Sequence, residues 1–206
     1  MVVRKGVRAL LMDADSISVV GEAGDGLEAV AEARRLRPQV ILMDLQLPRL
    51  DGVEAVRAIL AEQPDVGIVV LTGTNGDEQV LAAIEAGALG YLAKTSEREE
   101  FLLAISRVAR GELWLPPRLT RKLLAHLKPP RSGGGGLPEP LTGRETAVLN
   151  LIAKGRTNQQ IAQELNIAEA TVRTHVSHIL DKLGVGNRVE AALHALRAGV
   201  ATLEER

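Results

Sequence analysis

Residues 158–184 read NQQIAQELNIAEATVRTHVSHILDKLG. Ile161, Ala162 and Leu165 fall on one face of a short helical pattern, and Val172, Val176, Ile179, Leu180 and Leu183 on one face of a longer one. Gly184 ends the second pattern, since glycine is the usual residue just past a helix. A break at Asn166–Ala168 separates the two, which is the spacing of a helix-turn-helix. In that arrangement the second helix lies in the major groove of duplex DNA, its N-terminal residues at base edges. With Val172, Val176 and Ile179 inward, Arg173, Thr174 and Ser177 point outward. Arginine can contact guanine with two nitrogens, and Thr and Ser read several base edges. A polar helix face standing alone is ordinarily only solvated, so the flanking sequence has to decide.

Leu141 precedes a Thr142 N-cap, and Glu145 follows three residues later in a capping box, opening a helix that stops at Gly155. At the other end RVEAALHALRAGV sets Val189, Ala192, Leu193 and Leu196 on one stripe, which gives four helices in all. His175 and His178 are three apart with no third ligand nearby, so packing or DNA contact outweighs a metal site. As a whole, residues 141–192 closely resemble the LuxR-type DNA-binding domain. LT-RE, the IA–KG turn, N-IA-L, TV-TH, I-KLGV and NR-EAA all stand at that family's separations. The resemblance implies base contacts from Arg173, Thr174 and Ser177, and phosphate contacts from Asn158, Thr171 and Lys182. It also implies a homodimer formed through the last helix, placing two recognition helices on a two-fold-related site in double-stranded DNA.

Upstream, Lys128–Pro140 reads KPPRSGGGGLPEP, and four glycines with four prolines exclude the interior of a helix or strand. As a flexible coil this linker would span about 20 Å root-mean-square. Just before it, Leu119, Leu123, Leu124 and Leu127 share one face of a short appended helix. The expected domains are therefore 1–127, the linker 128–140, and 141–206. Their charges differ: residues 1–110 carry a net −5, residues 111–140 a net +3, and residues 141–206 a net +1. DNA would repel the first part and not the rest. No apolar run approaches the ~20 residues of a membrane span, no signal peptide opens the chain, and no cysteine is present. A cytoplasmic protein without membrane contact is expected.

In the first part, four short apolar runs alternate with helical patterns: SVVGEA from Ser18, QVILMDL from Gln39, VGIVVLT from Val66 and GALGYLA from Gly87. Such alternation predicts an α/β doubly wound parallel sheet with helices on both faces. Functional residues of such sheets lie at the carboxyl ends of the strands, which here carry Asp44, Thr72 and Lys94. Each alone is an ordinary cap or solvated residue. Together they offer a carboxylate nucleophile for a phosphoryl group, with a hydroxyl and a cation for its oxygens.

These residues resemble the flavodoxin-like receiver domain of NarL/FixJ-type two-component response regulators. MDLQLPRLDG matches the phosphoacceptor segment, VVLTG the hydroxyl strand and GALGYLAK the last strand. The resemblance implies Asp44 as phosphoacceptor, Thr72 and Tyr91 as switch residues, Lys94 as the phosphate-binding lysine, a sensor histidine kinase as partner and Mg2+ as cofactor. One departure stands out. Receivers begin with a strand ending in an acidic pair that holds Mg2+, and Asp13 and Asp15 in ALLMDAD lie too close to Asp44 to be that pair. Val3, Val7, Leu10 and Leu11 instead have helical spacing, so the chain aligns from the family's first helix onward. The first strand and the acidic pair are then missing, leaving Asp44 as the one metal-coordinating carboxylate.

The expected function is a DNA-binding transcription regulator of the response-regulator type, with no enzyme activity of its own. The alternative is a phosphorylation-independent DNA-binding protein whose degenerate receiver serves for dimerisation.

Overall fold

The computed structural model describes residues 2–12, 14, 16–73, 77–116, 119, 122 and 140–200. They fall into two compact units with separate cores. The expected linker helix is described only at Leu119, which is helical and buried, and at Lys122. Leu123, Leu124, Leu127 and residues 128–139 lie outside the described residues, as do Asp13 and Asp15.

The first unit opens on a helix, α1 (Val2–Met12), as the Val3, Val7, Leu10 and Leu11 spacing predicts. Helix α2 (Gly26–Leu36) and strand β1 (Val40–Asp44) follow, then α3 (Gly52–Glu62), β2 (Gly67–Thr72), α4 (Asp77–Glu85), β3 (Gly90–Ala93) and α5 (Arg98–Ala109). The sheet is parallel in the order β1-β2-β3, with Val40 opposite Gly67 and Val69 opposite Gly90. Side chains alternate across a strand. Val69, Leu71 and Leu92 accordingly face Phe101, Ala104 and Val108 of α5, with Val7 and Leu10 of α1 completing that layer. Helices α3 and α4 contact β1 and β2, and α2 packs on α3. Burying Phe101, the one phenylalanine of the chain, anchors this layer with about 1.5–3 kcal/mol of apolar transfer.

One expected strand does not form. SVVGEA (residues 18–23) has no strand pairing, and Val19 and Val20 are 40% and 55% exposed. A strand exists only where a neighbour takes its N–H and C=O groups. No strand lies between this segment and β1 among the described residues. The segment is fastened by side chains instead: Arg4 donates to the Ala23 carbonyl at 2.9 Å, and Arg4 and Arg8 pair with Glu22. The same opening shows in β1, where only Met43 is buried, while every residue of the central β2 is.

The far edge of the sheet is covered. Trp114 donates to the Leu89 carbonyl at 2.9 Å and accepts from the Tyr91 N–H at 3.0 Å, forming a parallel bridge beside Gly90. The Arg107 guanidinium stands 5.3 Å from the centroid of the Trp114 ring, within cation–π range.

The second unit contains α6 (Gly143–Ala153), α7 (Asn158–Leu165), α8 (Glu169–Leu183) and α9 (Arg188–Arg197). The Thr142–Glu145 capping box is present as the sequence predicts, and Thr157 with Gln160 forms a second one at α7. Asn166 occupies a left-handed conformation (φ 52°) between α7 and α8, which asparagine tolerates better than most residues. Val148, Leu149, Ile152, Ile161, Val172 and Ile179 form the core, closed by Ala191, Ala192 and Ala195 of α9.

Candidate phosphoacceptor site and nucleic-acid interface

Parallel register brings Asp44, Thr72 and Lys94 to one end of the sheet. Asp44 ends β1 opposite Leu71, Thr72 ends β2 opposite Ala93, and the Lys94 N–H donates to the Thr72 carbonyl at 2.8 Å. Asp44 and Lys94 meet directly: Nζ lies 2.7 Å from Oδ2, while Oδ1 accepts the Gln46 N–H at 3.0 Å. The Thr72 hydroxyl is turned elsewhere, donating to the Gly73 carbonyl at 2.7 Å. Tyr91 is half-buried on β3. Gly52 is required nearby, because a Cβ there would stand 2.4 Å from the Asp44 carbonyl oxygen.

A second ion pair fixes the loop after Asp44, and the sequence reading missed it. Asp25, the N-cap of α2, is 9% exposed and accepts from the Glu28 N–H at 3.0 Å and from Arg49. Arg49 bonding and the Glu28 N–H hold its carboxyl below the usual range. Arg49 sits in a left-handed conformation (φ 64°), and Leu50 N–H reaches back to the Pro48 carbonyl at 2.8 Å. An Asp-Gly before a helical pattern signals the N-cap alone; nothing local to it names Arg49 as a partner.

The described residues do not fit the expected Mg2+. Among them no three His, Asp or Glu side chains converge on a possible metal position. Mg2+ asks for a near-octahedral oxygen set, and the one carboxylate expected to coordinate it is already bonded to an ammonium group.

In the second unit the helical period sorts α8 as expected. Val172 and Ile179 are buried, and Val176, Leu180 and Leu183 pack on the same core. Arg173, Thr174 and Ser177 are exposed, as is Thr171. Arg173 is ion-paired with Glu169, one turn earlier. The Thr174 hydroxyl donates to the Ala170 carbonyl at 3.2 Å.

Two of the three residues expected at DNA phosphates have internal partners. Asn158 is 4% exposed, and its Oδ1 accepts from Arg188 at 2.9 Å, while Arg188 also bonds the Arg156 carbonyl. Lys182 lies 2.9 Å from Glu145 Oε2, its side chain 17% exposed. Glu145 is itself buried, with His178 Nδ1 4.0 Å from its other oxygen. The Thr142 N–H and then Lys182 lower its pKa to about 2, against the opposing effect of burial. Asn158 and Lys182 thus each have a partner inside the fold, whereas Thr171 is exposed.

Comparison with known proteins follows the same division. Residues 1–106 match the response regulator receiver domain, and residues 139–195 match the bacterial regulatory proteins of the luxR family. The transcriptional regulatory protein LiaR of Bacillus subtilis (strain 168) is 46% identical over 95% of this chain and 92% of its own length. The crystal structure of response regulator ChrA, from a heme-sensing two-component system, aligns with TM-score 0.50 and 35% identity, covering 97% of this chain and 93% of ChrA. The structure of the RcsB–DNA complex aligns with TM-score 0.53 and 26% identity, covering 96% of this chain and 93% of RcsB. No helix among the described residues is long and apolar enough to cross a membrane. Matched along nearly its whole length, the chain belongs to the LuxR-type response regulators, DNA-binding transcription regulators that carry a receiver domain.

Proposed function

We propose that this regulator reads double-stranded DNA with Arg173, Thr174 and Ser177 in the major groove, as a homodimer joined through α9, with Thr171 at a phosphate. The observation carrying this is the division of α8. Val172, Val176 and Ile179 are held in the core, which leaves those three side chains on the outer face of the helix. The RcsB relative solved with DNA supports the choice of ligand. Replacing Arg173 with Ala is expected to cost about 1–3 kcal/mol of binding and to relax preference at one base pair. Binding-site selection from a random duplex pool, with both proteins, measures this. Unchanged affinity and preference would overturn the register assigned to α8.

For the receiver the proposed domain limits are 1–127, with 128–140 as linker. A sensor histidine kinase phosphorylating Asp44 is the partner under the family's usual scheme. A second reading has a specific observation in its favour: the Asp44 carboxylate pairs with Lys94, and no metal-binding cluster lies beside it among the described residues. On that reading phosphorylation is poor, and the receiver serves as a dimerisation scaffold for a constitutive DNA-binding domain.

A further inference from the structure

A second polar stripe runs along α8 beside the three residues assigned to base edges. Thr171, His175, His178 and Lys182 recur at intervals of four, three and four, which is one line down a helix. The line borders the outer face. Thr171 and His178 are exposed, whereas Val172 and Ile179, one residue after each, are buried. A helix seated in the major groove turns its flanks toward the sugar-phosphate backbones that wall the groove.

His178 is backed by a buried negative charge. Its side chain is 58% exposed, and its Nδ1 lies 4.0 Å from Oε1 of the buried Glu145. The other carboxylate oxygen, Oε2, takes Lys182 and the Thr142 N–H, which leaves Oε1 on the side of His178. On α8 itself His175 precedes by three residues, and Asp181 and Lys182 follow by three and four. On the helices packed against α8, Arg144 is bonded to the Leu165 carbonyl, Glu164 to Arg156 and Arg188 to Asn158. Glu145 is thus the ionic neighbour of His178 among the described residues.

An imidazole changes charge between about pH 5 and pH 8. When neutral it offers a phosphate a single N–H; protonated, it offers two donors and a full positive charge. With Nδ1 toward Glu145, Nε2 is the nitrogen turned away from the core. A carboxylate behind the ring and a phosphate ahead of it both favour the imidazolium. DNA therefore draws a proton onto the ring as it binds, and affinity rises as pH falls through the histidine range.

We propose that His178 is a DNA phosphate contact that takes up a proton on binding, with Glu145 as the fixed charge behind it. The proposal rests on the reading of α8 as the helix in the major groove.

The full chain tests it as wild type, His178→Gln, His178→Lys and Arg173→Ala. Each is titrated by fluorescence anisotropy against one duplex selected from a random pool by wild type, at about pH 6 and about pH 8. Wild type should bind about 1.5- to fivefold more tightly per recognition helix at the lower pH. Its salt dependence, log affinity against log salt, should steepen by about 0.9 per helix over the same interval, the mark of one added phosphate contact. His178→Gln cannot be protonated and should show neither change. His178→Lys is charged throughout and should bind at the higher pH more tightly than wild type. Base preference should stay the same in both His178 variants, because a phosphate contact carries no sequence information. Far-ultraviolet circular dichroism at both pH values checks that helix content is kept. A pH dependence that survives in His178→Gln would put the proton on another group and overturn the proposal. So would wild-type affinity that is flat between the two pH values, or a base preference altered by His178→Gln. If neither Arg173→Ala nor His178→Gln alters binding, the reading of α8 falls and the proposal with it. If Arg173→Ala weakens binding while the pH dependence survives in His178→Gln, only the proposal falls.

Discussion

Among the described residues, Glu145 is the one whose acidity the fold alters most. Its carboxylate accepts from the Thr142 N–H at 2.7 Å and from Lys182 at 2.9 Å, and its pKa falls from an ordinary 4.5 to about 2. A carboxyl depressed on folding contributes stability that is complete above the unfolded pKa, near 4.5, and is lost as pH falls through about 2. The stability of the second unit, followed by calorimetry, should therefore fall as pH is lowered from 4.5 to 2. Glu145→Gln should flatten that dependence and cost about 1–3 kcal/mol near neutral pH. The sequence announced Glu145 as half of a capping box, but not Lys182, 37 residues on, as its partner. Asp44 raises the second residue-scale question. Among the described residues, Lys94 and the Gln46 N–H face its carboxylate. The charge that builds up on a transferring phosphoryl group is ordinarily met by a metal ion as well. Incubation with a small phosphodonor and Mg2+, read by intact mass with Asp44→Asn as blank, is expected to show little or no phosphoryl adduct. Prompt stoichiometric labelling would overturn the second reading of the receiver.

At the scale of elements, helices were legible because their signals are local. The period of three and four at Val3, Val7, Leu10 and Leu11 required α1, and the Thr142 box and Gly155 set the limits of α6. Strands are different, since a strand is completed by a neighbour elsewhere in the chain. VGIVVLT and SVVGEA are both short and β-branched, yet the first became the fully buried β2 and the second formed no strand. Hydrogen exchange should show the contrast. Amides of Ile68–Leu71 are expected to exchange slowest in the receiver. Those of residues 18–23, and the β1 amides directed away from β2, should exchange orders of magnitude faster. Equal protection across 18–23 and β2 would mean that a partner strand covers this edge in solution.

Two units with separate cores predict that the second folds and binds DNA without the first. Its caps, the Glu145–Lys182 pair, the Asn158–Arg188 pair and the recognition face all lie within residues 142–188. Residues 141–206 expressed alone should give a cooperative thermal transition and select the same DNA sequence as the full chain. A selected sequence that differs would show that the receiver shapes base readout. Shortening Gly133–Gly136 should alter regulation by the receiver and leave the affinity of that isolated segment untouched, which parallel titrations of both proteins would check.

By itself the sequence determined the two domain types, the described helices other than α5, the inner and outer faces of α8, and the strand ends that carry Asp44, Thr72 and Lys94. Each follows from order along the chain: a helical period, a turn residue, or a motif at fixed spacing. The tertiary structure decided which polar groups meet. Asn158 by Arg188, Lys182 by Glu145, Asp25 by Arg49 and Asp44 by Lys94 are joined across 24 to 50 residues. A charge has no period, and its partner is set by where the folded backbone delivers it. SVVGEA obeys the same rule, because whether a β-branched run becomes a strand depends on a neighbour supplied by the rest of the fold.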